Sequence, residues 1–131
     1  MKVLLIDDDQ DFNDAVYQHL IRKGFDVHTA FDGIQGLRKF QSVKPDLVIT
    51  DIIMPDQDGL GFLTAIRDSD NNFPCKVIAI SGGGRVAGKT YLEIAKSFGV
   101  DATLSKPFSF KELYDVLIQL GHQVSDSAEK V

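Results

Sequence analysis

Asp7, Asp8, Asp51, Ser81 and Lys106 each stand at or just past the end of a short apolar run. Leu4-Leu5-Ile6 leads into Asp7-Asp8, Leu47-Val48-Ile49 into Asp51, Val77 to Ile80 into Ser81, and Ala102-Thr103-Leu104 towards Lys106. Three carboxylates gathered at one place repel each other unless a cation joins them. Hard carboxylate oxygens completed by water suit Mg²⁺, which takes few protein ligands in an octahedral shell. A lysine and a hydroxyl beside such a cluster can hold the oxygens of a phosphoryl group. An aspartate can attack phosphorus and carry the group as an acyl phosphate. Metal and lysine neutralise charge on the equatorial oxygens during transfer, which is most of what that chemistry demands.

The elements that would bring these residues together are legible from hydrophobic periodicity. Val3–Ile6, Leu47–Thr50 and Val77–Ile80 are continuous apolar runs and read as central strands buried on both faces. Val27–Ala30 and Ala102–Leu104 are short and mixed, as edge strands are. Five helical stretches alternate with them. The first carries Phe12, Ala15, Val16 and Leu20 on one face, with Asp9 and Asp11 at its start and Gly24 at its stop. The second carries Ile34, Leu37 and Phe40, the third Leu60, Leu63 and Ile66, the fourth Leu92, Ala95 and Phe98. The last begins near Ser109 and carries Phe110, Leu113, Val116, Leu117 and Leu120. Strands alternating with helices imply a parallel sheet covered on both faces. Right-handed crossovers with the two mixed strands at the edges give the order 2-1-3-4-5, a doubly wound, flavodoxin-like α/β fold. The topological switch then falls between strands one and three, with Asp7, Asp8 and Asp51 on its C-terminal rim, where such sheets bind ligands.

At 131 residues the chain is one domain, expected over residues 1–121, with residues 122–131 lacking periodicity and expected as a disordered tail. A hydrophobic content of 44% supports a full core. The net charge of −5 argues against sequence-independent nucleic-acid binding, which needs a basic surface. Cys75 is the one cysteine, so no disulfide forms within the chain, and a buried apolar place is expected for it. The apolar start ends at Asp7, too short for a signal peptide or a membrane span, so a cytoplasmic protein is expected. His19, His28 and His122 are expected to be exposed and carry no motif.

Four motifs in order then point to a family. Leu4-Leu5-Ile6-Asp7-Asp8-Asp9, Ile49-Thr50-Asp51-Ile52-Ile53-Met54-Pro55 with Asp58-Gly59, Ile80-Ser81-Gly82, and Lys106-Pro107-Phe108 resemble the receiver domain of bacterial two-component response regulators. The resemblance runs from about Lys2 to Leu120. It implies that Asp51 is the phosphoacceptor, charged by a histidine kinase or phosphotransfer protein. It implies that Asp8 binds Mg²⁺ directly, that Asp7 helps through water, and that the backbone carbonyl of Ile53 is a further ligand. Ser81 would be the switch hydroxyl, Lys106 would pair with the phosphoryl group, and the Lys106–Pro107 bond would be cis. Output would pass to a partner on the face of the fourth helix, fifth strand and last helix. Two departures stand out. Thr103 occupies the position three before the lysine where the family carries an aromatic residue, and the loop after Ser81 is longer and opens with Gly82-Gly83-Gly84. The short stretch after the last helix is not expected to form an output domain, which leaves a stand-alone receiver, a relay intermediate or a piece of a larger regulator.

Three rival readings share these residues. Gly83-Gly84-Arg85-Val86-Ala87-Gly88-Lys89-Thr90 fits the G-x-x-x-x-G-K-[ST] pattern of a P-loop, which would cradle a nucleotide's phosphates between a strand and a helix. Asp7 and Asp9 match the D-x-D of Asp-nucleophile phosphohydrolases of the haloacid dehalogenase class, although Asp11 stands where that class carries Thr or Val. A docking module of receiver shape that is never phosphorylated is the third, and the intact set of acids, hydroxyl and lysine argues against it.

Overall fold

The computed structural model describes residues 1–52, 59–68, 75–82, 85–86, 89–90, 93, 96–97 and 99–121. Five strands, β1 (Lys2–Ile6), β2 (Asp26–Ala30), β3 (Leu47–Asp51), β4 (Lys76–Ser81) and β5 (Ala102–Ser105), form one sheet in the order β2-β1-β3-β4-β5. Every neighbouring pair is parallel. Helices α1 (Gln10–Arg22), α2 (Gly33–Val43), α3 (Gly59–Asp68) and α4 (Phe110–Gln119) cover it. The expected fold class and strand order are those found. All five residues of β3 are buried, while β2 and β5 each expose part of their length, which is the signature of a central strand between edges.

Alternation along the strands sorts side chains into two cores, one per face. Val3 and Leu5 of β1 join Leu47, Ile49, Ile78 and Ile80 against Val16 and Leu20 of α1 and Leu113 and Leu117 of α4. Leu4 and Ile6 join Val48, Val77 and Ala79 against Phe40 of α2 and Phe62, Leu63 and Ile66 of α3. Three of the helices start on side-chain caps that satisfy otherwise orphaned amides. Asp9 accepts from Phe12 N, Asp32 from Gln35 N and Ser109 from Glu112 N. The stop at Gly24 is real: its φ of 92° lies in the left-handed region that glycine adopts without steric cost.

Some expectations are corrected. Ala15 is exposed, and the inward stripe of α1 is Asn13, Val16 and Leu20. Ile34 is 51% exposed, because the stripe of α2 runs through Gly33, Gly36 and Phe40 instead. His19 and His28 are half-buried, and Cys75 is half-buried against the second core. Of the expected fourth helix, Leu92, Ala95 and Phe98 lie outside the described residues, while Glu93, Lys96 and Ser97 are helical. Residues 122–131 also lie outside them.

Gly36 is where α2 meets the sheet most closely. A Cβ there would stand 2.6 Å from Cδ1 and 3.2 Å from Cγ1 of Ile6, a fully buried side chain. Gly36→Ala gains up to about 1 kcal/mol of helix propensity, but overpacking costs roughly 1–3 kcal/mol. The net expectation is a loss of about 1–2 kcal/mol in urea unfolding. Adding Ile6→Val removes the offending Cδ1, so the double variant should be more stable than the sum of the two single losses. Strict additivity would show that Ile6 is not the obstacle.

Candidate functional site

The rim at the C-terminal ends of β1, β3, β4 and β5 collects the candidate residues. Asp7 directly follows β1 and is fully buried. Its amide donates to Ala30 O at 3.1 Å, its Oδ1 accepts from Asp9 N at 2.9 Å, and its Oδ2 accepts from Lys106 Nζ at 2.6 Å. Asp51 ends β3, is nearly buried, and accepts from the same Nζ through Oδ2 at 3.3 Å. Asp8 is exposed. One carboxylate oxygen from each of Asp7, Asp8 and Asp51 lies within 4.8 Å of the others.

Lys106 reaches this cluster from the edge strand because its amide donates to Ser81 O at 2.7 Å, extending the β4–β5 ladder by one residue. The Lys106–Pro107 bond is cis. The ammonium also lies 4.1 Å from the centroid of the Phe12 ring, a cation–π contact that shields one side of it. Ser81, fully buried, ends β4 and pairs with Ser105. Asp51 pairs with Ile80, so Asp51 and Ser81 are neighbouring strand ends on one edge of the rim.

Burial pushes the Asp7 carboxyl up from 3.8 to about 6. The Lys106 hydrogen bond and the Asp9 amide pull it partly back, and the charge of Asp51 adds to the rise. Burial also works against the charge on Lys106, but its hydrogen bond to Asp7 and the attraction of Asp7 and Asp51 outweigh that and hold the lysine above its ordinary value. The site therefore holds more acid than one lysine can compensate, and the oxygen donors are of the hard type that a small divalent cation takes.

Asp7, Asp8, Asp51 and Lys106 are thus brought together, and Ser81 is fixed beside them. Ile53, whose carbonyl was the remaining expected ligand, lies outside the described residues. The P-loop reading meets a different local structure. Arg85–Val86 pairs antiparallel with Lys89–Thr90 in a two-residue ladder, so Lys89 and Thr90 do not open a helix as that motif requires; residues 83–84 and 87–88 lie outside the description. The Asp7 nucleophile of the phosphohydrolase reading has both oxygens engaged, and Asp9 is spent on capping α1.

Two parts of the surroundings are absent from the sequence reading. Asn13 is fully buried directly behind Asp7, with its Nδ2 donating to Asp7 O at 2.8 Å and to Ala30 O at 3.2 Å. The signal was available: a polar residue three before Val16 and seven before Leu20 lies on the buried stripe. His19 is stacked on Phe110 with centroids 3.5 Å apart, and its Nδ1 lies 3.3 Å from the Tyr114 hydroxyl. It ties α1 to α4, and burial followed by the charges of Arg22 and Lys23 lowers its pKa. A pairing between residues so far apart in sequence leaves no local mark.

A doubly wound parallel sheet with an acid triad and a lysine at its switch point defines a class, the open α/β domains whose site lies at the C-terminal rim of the sheet. The chain belongs to the response regulator receiver domain family, whose model matches residues 3–118. It is 40% identical over 114 residues to the transcriptional regulatory protein PrrA of Mycobacterium leprae, covering 86% of this chain and 46% of PrrA. It is 30% identical over 112 residues to the alkaline phosphatase synthesis transcriptional regulatory protein PhoP of Bacillus subtilis, covering 86% of this chain and 45% of PhoP. The chain therefore spans about half the length of the curated relatives it matches. Among solved structures it resembles the chemotaxis response regulator CheY4 of Vibrio cholerae, with a TM-score of 0.79 at 28% identity over 91% of this chain and 97% of that one. It also resembles TrrA of Thermotoga maritima in complex with Mg²⁺–BeF, with a TM-score of 0.76 at 29% identity over 91% and 97%. The chain is thus a signalling domain of the two-component type. Among the described residues, no helix is long and apolar enough to cross a membrane.

Proposed function

We propose that Asp51 accepts a phosphoryl group from a phosphohistidine, presented by a histidine kinase or a phosphotransfer protein, and that this switches the binding of an output partner. The observation that carries the reading is the acid triad, with oxygens within 4.8 Å of one another and Lys106 bridging two of its members. In the step itself an Asp51 oxygen attacks phosphorus, an acyl phosphate bond forms, the phosphorus–nitrogen bond to the donor imidazole breaks, and the imidazole leaves with the bonding pair. Lys106 holds a phosphoryl oxygen while keeping its contact to Asp7, and the Ser81 hydroxyl, at the end of the neighbouring strand, takes another.

The residues fit Mg²⁺: the triad is all oxygen, it is crowded, and it carries an uncompensated charge. Asp8 and Asp51 would ligate directly, Asp7 would do so through water, and the Ile53 carbonyl would complete the protein's share. When bound, Mg²⁺ supplies neutralisation of charge on the phosphoryl oxygens. The output partner belongs on the face of the helix expected around residues 92–98, β5 and α4, where Thr103 is half-buried in place of an aromatic residue and Ile118 is 59% exposed. A donor of this kind and a chain with a single cysteine, which forms no disulfide within the chain, fit the cytoplasm. The acidic charge fits a domain that contacts protein, with neither nucleic acid nor membrane as a direct partner.

Intact mass decides the reading. The folded wild-type chain, incubated with Mg²⁺ and either a small acyl phosphate or a phosphohistidine-bearing phosphotransfer domain, should gain one phosphoryl group that is lost on mild alkaline or hydroxylamine treatment. No gain from either donor overturns it.

A further inference from the structure

We infer that Asn13 is a positioning residue for the acidic site, fixing the Asp7–Asp8 peptide so that the Asp8 carboxylate is presented to Mg²⁺. The inference rests on the Mg²⁺ reading above and concerns a residue outside the acid, hydroxyl and lysine set.

Asn13 is fully buried on the inward stripe of α1, a position where Val16 and Leu20 are its apolar companions. Its amide group donates twice, to Asp7 O at 2.8 Å and to Ala30 O at 3.2 Å. Its own Oδ1 has no partner among the described residues, so the side chain acts here through its NH₂ donors alone. A buried unpaired acceptor carries a free-energy cost, and an apolar residue would avoid it. What the amide secures in return is the end of β1.

Asp7 is otherwise held at three points: its N–H by Ala30 O, its Oδ1 by Asp9 N and its Oδ2 by Lys106. None of these restrains the Asp7 carbonyl, which belongs to the peptide plane that leads into Asp8. The peptide is planar, so fixing its oxygen fixes the direction in which Asp8 departs. Asp8 is exposed, and its two neighbours are held by bonds that leave its own carboxylate free to aim. The Asn13 bond also couples the ends of β1 and β2, because Ala30 O receives both Asp7 N and Asn13 Nδ2. Outer groups that orient metal ligands typically change metal affinity by about 10–100-fold when removed.

The test uses the full chain with Asn13→Leu, which keeps the size of the side chain and removes both donors. Calorimetric titration of the metal-free protein with Mg²⁺ should show affinity about tenfold weaker than wild type. Phosphoryl uptake should fall at limiting Mg²⁺ and return towards the wild-type rate at saturating Mg²⁺. Without metal, the Asp9 amide should exchange its hydrogen faster, reporting a looser Asp7. A core control, Val16→Ala, should lose stability with no change in Mg²⁺ affinity. Wild-type Mg²⁺ affinity and Asp9 protection in a folded Asn13→Leu chain would overturn the inference, as would an equal loss of affinity in Val16→Ala. Asn13→Ala repeats the measurement if the leucine is not accommodated, and failure of both to fold would make Asn13 a fold determinant and overturn it too. If the wild type itself neither binds Mg²⁺ nor takes up phosphoryl, the proposed function fails, and the metal-free exchange of the Asp9 amide still decides the role of Asn13.

Discussion

Asp51→Asn should take up no measurable phosphoryl group, a loss of at least about a thousandfold, because the attacking oxygen is replaced by an amide that is a far poorer nucleophile. The substitution is close to isosteric. Asp51 ends β3, and the ladder that places it, in which Thr50 pairs with Ala79 and Asp51 with Ile80, is made by backbone atoms the substitution leaves alone. The neighbouring acids offer no efficient substitute. Asp7 has both oxygens engaged and lies fully buried, while Asp8 lies outside the reach of Lys106 among the ion pairs described. The cluster also loses one negative charge, so the variant should fold at least as stably as wild type without metal and bind Mg²⁺ more weakly. Intact mass, a urea melt and a Mg²⁺ titration on one preparation separate these effects. Full-rate labelling of Asp51→Asn would remove Asp51 as the acceptor and turn attention to Asp8.

The parts of the fold that could be read in advance are those in which one residue type reports one environment. β1, β3 and β4 are apolar along their buried length up to Thr50, Asp51 and Ser81 at the rim, because both faces are covered, and no alternation competes with that signal. The mixed sequences of β2 and β5 mark edges for the converse reason, and the strand order follows from those two facts. Helix faces were harder. Periodicity locates a stripe only to within a residue or two, and in α1 that span covers both Ala15, which is exposed, and Asn13, two residues earlier, which is buried. In α2 the stripe passes through Gly33 and Gly36, which carry no hydrophobic signal, so the apolar pattern points to Ile34 instead.

The acid cluster was legible for a related reason. Its members sit at strand ends, and the parallel order of the sheet alone brings strand ends together. The contacts that tune them were not legible. Lys106 bridges Asp7 and Asp51 and rests on Phe12, but nothing in the local sequence says that a lysine in the loop after an edge strand reaches two strands inward to Asp51 and three to Asp7. The stacking of His19 on Phe110 likewise depends on how α1 and α4 are rotated against each other, a packing outcome of the whole core.

The metal-free protein should lose stability as pH rises from about 4 to 7, opposite to the usual trend for a carboxylate in an ion pair. Burial places the folded Asp7 carboxyl at about 6, above the unfolded value of about 4. Between those values the folded state keeps a proton that the unfolded state has released. The contribution of Asp7 is therefore most favourable below the unfolded value and is lost as pH rises through about 6. A difference of about two pKa units corresponds to roughly 3 kcal/mol at most between pH 4 and pH 7.5. Urea melts in a chelator across that range should reveal it as a falling midpoint, on which the other carboxylates superimpose their own slopes. Asp7→Asn isolates the term: its midpoint relative to wild type should be near equal at pH 4.5 and higher at pH 7.5. Lys106→Ala should act the other way, since removing the cation that pulls the Asp7 pKa down lowers metal-free stability further at pH 7.5. Mg²⁺ at saturating concentration should recover much of the neutral-pH loss in wild type and in Lys106→Ala, and less in Asp7→Asn. A difference between wild type and Asp7→Asn that does not change with pH would show that Asp7 is ionised throughout, with the charge of Lys106 outweighing the effect of burial.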